Sequence, residues 1–122
     1  MEVQIETQNV EIPVNSSRNL AERVRKSMSH VGNHVLRLHL SLRDVNGLKG
    51  GRDKVCTIRA TLASGGEVVV VDRNKQVRKA LFNALRRGRV VINRELKRRR
   101  QQKRRRDDAA DELSTRIWLE SA

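Results

Sequence analysis

The chain has 122 residues, 37% of them apolar, with 27 Lys and Arg against 14 Asp and Glu for a net charge of +13. That length holds one domain with a single modest core, and a cationic excess of this size points to a polyanionic partner. Phe82 and Trp118 are its aromatic residues, too few for a platform that stacks unpaired bases, which favours contacts with phosphates and helical shape.

No apolar run approaches a membrane span, and the start MEVQIETQ lacks the basic-then-apolar layout of a secretion signal. The one cysteine, Cys56, has no partner for an internal disulfide and suits a reducing compartment. A cytoplasmic protein is expected.

In chain order, Val3 and Ile5 alternate with polar neighbours over residues 3–7, the pattern of a short strand. Pro13 interrupts the chain, and Asn15 or Ser16 can cap a helix beginning there. Between Ser17 and Ser29, Leu20, Val24 and Met28 recur every four residues with Ala21 beside them, predicting an amphipathic helix. Arg18, Arg25 and Lys26 lie on its other side, and Gly32 is expected to end it. Val35 to Arg43 alternates strictly, which places Leu36, Leu38, Leu40 and Leu42 inward and Arg37, His39, Ser41 and Arg43 outward. The glycine-rich DVNGLKGGRD reads as a connection. A third strand, Val55 to Ala63, turns Cys56, Ile58, Ala60 and Leu62 inward. Ser64-Gly65-Gly66-Glu67 suits a tight hairpin, and Val68 to Val71 form a fourth strand.

The segment from Lys75 to Arg106 carries the whole charge excess. Fifteen Lys and Arg stand there against one acid, Glu95, a net of +14, and the other 90 residues net −1. Val77, Leu81, Ala84, Leu85, Gly88, Ile92 and Leu96 recur at steps of three and four, one stripe of a helix that Asp72 or Asn74 can cap. Lys75, Lys79, Arg86, Arg87, Arg94 and Lys97 fall on the opposite side. Gly88 costs roughly 1 kcal/mol against Ala in mid-helix, which implies close contact with another element. The stripe stops at Leu96, beyond which the helix has nothing to bury. Residues 107–122 shift to five acids and one Arg, a tail expected to be disordered unless Leu113, Ile117 and Trp118 form a short apolar turn. The division is thus a domain over 1–100 and, over 101–122, a basic helix extension followed by the acidic tail.

The order β-α-β-β-β-α gives an α+β fold. A helical crossover makes the first two strands parallel, and two hairpins make the rest antiparallel. Because each middle strand has one apolar face, both helices are expected on the same side of a four-stranded mixed sheet. Arg25 and Lys26 would then lie beside the cationic side of the last helix.

The chemistry of an enzyme is missing. His30, His34 and His39 have no Cys or carboxylate at a metal-ligand spacing, and NGLKGGRDK does not follow the order of a phosphate-binding loop. Cys56 falls on an inward strand position, and no acid–base or nucleophile set emerges. No catalytic residue, metal, cofactor or small-molecule substrate is expected.

Several stretches resemble the ribosome hibernation-promoting factor and ribosome-associated inhibitor family, also called sigma-54 modulation proteins. They are the start VQIETQNVEI, the central RDVNGLKGGRDKVCTIRATLASGGEVVV and the following DRNKQVRKAL. The likeness covers roughly residues 3–100 and rests most on GGEVVV leading into the last helix together with the VNG-x-x-GG loop. It implies a short form of the family that binds the small ribosomal subunit and its ribosomal RNA between head and body, and silences idle ribosomes by occupying the channel for messenger and transfer RNA. Arg25, Lys26, Lys79, Arg86, Arg87 and Arg94 stand where such proteins contact ribosomal RNA; Lys75 and Lys97 join them from the charge pattern alone. The chain departs from the family at Arg78, where members often carry an aromatic residue, and in the run KRRRQQKRRR.

A free monomer that inhibits translation by occupancy is therefore expected. Two other readings compete. The architecture is also close to double-stranded-RNA-binding domains, whose last helix begins with lysines spaced like Lys75 and Lys79. Alternatively, the outer sheet face of Arg37, His39, Arg59 and Thr61 could dock a protein, as a regulator of a sigma factor would.

Overall fold

A computed structural model of the chain describes residues 1–10, 14–45 and 54–121. It forms two units, Met1–Ile92 and Asn93–Ala122. The element order is β1 (Glu2–Gln8), α1 (Val14–Ser27), a 3-10 turn (Gly32–His34), β2 (Val35–Asp44), β3 (Lys54–Leu62), β4 (Glu67–Asn74) and α2 (Val77–Ser121). The four strands make one sheet in the order β1-β2-β3-β4. β1 runs parallel to β2, and β3 is antiparallel to both its neighbours. This is the α+β arrangement that the alternations and the helical crossover predict.

Alternation decides which strand side is apolar, and one register fault modifies it. Leu38, Leu40 and Leu42 are buried on β2, as are Cys56, Ile58, Ala60 and Leu62 on β3. Leu36, expected inward, is 60% exposed, and Val35 is buried instead. The ladder explains the exchange: Val35 pairs with Leu62 and Arg37 with Thr61, so two steps on β2 match one on β3. Leu36 is the extra residue of a bulge, which reverses the sidedness of everything before it.

The stripe of α1 buries Leu20 and Val24, and Met28 just past its end is buried with them. The helix stops at Ser27, earlier than expected, and Gly32 opens the 3-10 turn rather than ending the helix. In α2, Ala84, Leu85, Gly88 and Ile92 are buried as the spacing predicts, joined by Ala80. A Cβ on Gly88 would lie 3.4 Å from Met28 Cε and 3.9 Å from Ile58 Cδ1, so the missing side chain lets α2 approach α1 and β3 together. Both helices therefore cover the Ile58 side of the sheet. Each large side chain fully enclosed there, such as Leu40, Ile58 or Ile92, contributes about 1.5–3 kcal/mol.

Two local devices set the entry to α2. Gly65 and Gly66 have φ of 93° and 89°, and the turn they permit is closed by Gly65 N–H donating to the Leu62 carbonyl at 3.0 Å. Asn74 Oδ1 then accepts from Gln76 N–H at 3.2 Å, and Gln76 carbonyl accepts from Ala80 N–H at 3.0 Å. Asn74 is thus the side chain that turns the chain into the helix, and Lys75, read as part of it, precedes its first turn.

In the second unit, Leu96 is buried and the described residues from Lys97 to Ser114 are exposed apart from the half-buried Arg99. α2 includes residues 107–121, the acidic stretch whose composition suggested disorder. Glu95 receives hydrogen bonds from Arg98 (2.6 and 3.1 Å) and Arg99 (3.1 Å). These bonds, the Arg98 ones first, hold its carboxyl below the ordinary value of 4.5 against a smaller opposing effect of desolvation. The connection at 46–53 and Pro13 lie outside the described residues, as do the side chains of Asn15, Ser16, Ile117 and Trp118.

Candidate nucleic-acid interface

The cations of the first unit stand on two helices over one sheet, and their surroundings differ. Lys79 and Arg86, seven residues apart, project from the same side of α2 away from its buried stripe. Both are exposed, and neither has a hydrogen bond or ion pair among the described residues. Lys75 is exposed just before the helix.

Arg87 is placed differently. Its Nη1 donates to the Val71 carbonyl at 2.9 Å and lies 3.4 Å from Asp72 Oδ1. The side chain thereby braces α2 against β4 and keeps only its remaining donors for a ligand. Asp72 needs the brace: its other oxygen, Oδ2, is buried and has no hydrogen-bond partner among the described residues. Asp72 also faces Cys56 across the ladder. Burial, with the Asp72 charge adding to it, pushes the Cys56 thiol up to about 12, so that it remains a protonated, inert core residue.

On α1, Arg25 and Lys26 occupy the last turn, where cations also suit the helix dipole. Lys26 shares a side with Arg23, three residues earlier, whereas Arg25 projects elsewhere. Arg23 lines a groove between α1 and α2 with Leu20, Arg78, Leu81, Phe82 and Leu85. Arg23, Arg78 and Phe82 were not among the site residues expected from the sequence, where Arg78 stood out only as a departure from the family and Phe82 only as one of two aromatic residues. The signal was available in part, because Arg78, Phe82, Arg86 and Arg89 follow one another at steps of three and four along α2. Arg94 and Lys97 are exposed residues of the second unit.

The far side of the sheet is also rich in charge, but in pairs. Arg37 Nε lies 3.6 Å from Glu2 Oε2, His39 Nε2 3.4 Å from Glu6 Oε1, and Arg59 Nε 3.3 Å from Glu67 Oε1. Among the described residues no three His, Cys, Asp or Glu gather as a metal site, and no helix is long and apolar enough to cross a membrane.

No family model and no curated protein matches the chain. Solved structures do. A ribosomal subunit interface protein from Coxiella burnetii superposes with a TM-score of 0.60 at 16% identity, covering 78% of this chain and 97% of its own. The N-terminal domain of Protein Y from Thermus thermophilus gives 0.57 at 19% identity, covering 77% and 98%. The likeness is one of fold: a four-stranded mixed sheet with two helices, shared with these two structures over almost their whole length.

Proposed function

We propose that the chain is a non-catalytic, cytoplasmic factor that binds the small ribosomal subunit through the cations of its helix side and holds translation off by occupying the channel for messenger and transfer RNA. The observation that carries this reading is the set of exposed cations, Lys26, Lys79 and Arg86 with Arg23 and Arg78 beside them, that form no ion pair among the described residues, with Glu22 the one acid on their stretch of α1. Clustered like charge of this kind repels itself and is relieved by a polyanion. The sequence resemblance and the fold shared with a protein described as a ribosomal subunit interface protein supply the choice of polyanion. Arg25, Lys75, Arg87, Arg94 and Lys97 are further candidates for phosphate contact. Affinity comes from phosphate neutralisation and falls steeply with salt, and the rigid sheet beneath the helices supplies the shape that selects one RNA surface.

Co-sedimentation with purified small and large subunits, at low and physiological salt and with free RNA duplex as competitor, tests the reading. Retention on the small subunit at physiological salt in the presence of excess duplex is expected. Transfer to the duplex would instead indicate a general double-stranded-RNA clamp.

A further inference from the structure

The groove between α1 and the first turns of α2 combines features that sequence composition alone argued against. Its floor is apolar, formed by Leu20, Leu81 and Leu85, and Arg23 and Arg78 stand at its sides. At its rim Phe82 is 64% exposed, although exposing a large aromatic surface to water is unfavourable. No ring contact or cation contact occupies that side chain among the described residues. Its helical neighbours one turn away include Arg78, Lys79 and Arg86, with Arg89 two turns on, and no acid lines the groove.

An occupant must offer a flat apolar surface to the ring and negative charge to the guanidinium groups around it. A nucleotide does both, since every base has a face that stacks on an aromatic ring and every phosphate accepts from arginine. We propose that this groove takes a single unpaired RNA nucleotide, its base stacked on Phe82 and its adjoining phosphates on Arg23, Arg78 and Arg86. The proposal rests on the RNA-binding reading above and adds a feature that helical RNA alone would not require. One ring is too little for a platform that tracks a strand, but it suffices for one base.

The test uses the full chain and an RNA hairpin carrying one bulged 2-aminopurine, beside the same hairpin fully paired. The wild-type protein is expected to quench the bulged base and to prefer the bulged hairpin by about tenfold, the scale of one stacked base. Phe82→Ala and Phe82→Leu should abolish both effects and leave affinity for the paired hairpin within about twofold, because Lys79 and Arg86 still meet phosphates. The Leu variant keeps apolar bulk in the groove, so it separates stacking from folding or simple hydrophobic filling. Equal wild-type affinity for the two hairpins, or a preference that survives Phe82→Leu, would overturn the nucleotide site while salt-dependent RNA binding stood. Failure of the wild-type protein to bind either hairpin or the ribosome would overturn the broader reading and this one with it.

Discussion

On the outer face of the sheet Arg37, His39 and Arg59 each meet a carboxylate from a neighbouring strand, whereas Arg23, Lys26, Arg78, Lys79 and Arg86 on the helix side meet none among the described residues. Arg43 and Arg73, which flank Val55 in the ladder, are the exceptions on the sheet face. The contrast separates the amount of charge from its availability. Cross-strand pairs largely cancel the field of the sheet face, so it can remain in water without a partner. On the helix side the like charges leave a field that a polyanion relieves. This difference favours RNA on the helices over a protein docked on the sheet.

The largest expected effect breaks the support that both faces share. Leu40→Ala should lower unfolding free energy by about 2–5 kcal/mol in urea or thermal denaturation, since Leu40 is completely enclosed beneath the helices. A loss below about 1 kcal/mol would show that the core is looser than the packing indicates.

A smaller change distinguishes two adjacent arginines. Arg87→Ala should cost about 1 kcal/mol of stability, because it removes a charged hydrogen bond to the Val71 carbonyl from a half-exposed position. Arg86→Ala should leave the midpoint unchanged and weaken subunit binding, with the slope of log affinity against log salt reduced by about one. Equal stability of the two variants would contradict the brace.

The sheet-face pairs should be weaker still. A double-mutant cycle on Arg59 and Glu67 should give a coupling of about 0.2–1 kcal/mol that declines with salt, with no change in ribosome binding. The smallest effect is at Glu95. Its folded carboxyl titrates below the ordinary 4.5, so the bonds from Arg98 and Arg99 support the helix above that value and lose their effect as pH falls below it. Wild-type helicity, followed by circular dichroism, should therefore decline more than that of Glu95→Gln as the solution is acidified below 4.5. Identical acid profiles would remove this role from Glu95.

The topology was legible because physical periods are local. Val3 with Ile5, Leu38 to Leu42, and Ile58 to Leu62 each state which side of a strand is apolar, and Gly65-Gly66 marks the turn between β3 and β4. Gly88 announced a close approach through its cost to the helix. What escaped were features set by neighbours distant in sequence. Leu36 reads as a core residue until the β2–β3 ladder shows the bulge. Arg87 reads as a solvated cation until β4 is placed against the flank of α2 that carries it. The groove around Phe82 exists only once α1 lies beside α2, so an aromatic residue counted as one of two in the whole chain could not reveal its setting.

Matched charge removal on the two faces tests the central contrast most directly. Lys79→Gln with Arg86→Gln, and Arg37→Gln with Arg59→Gln, each remove two positive charges, so net charge is the same in both variants. Small-subunit binding would be measured by sedimentation across a salt series. The helix pair is expected to lose binding by tenfold or more at physiological salt, on the order of two lost phosphate contacts, while the sheet pair binds like the wild type. Loss in the sheet pair with retention in the helix pair would contradict the assignment of the RNA-binding face.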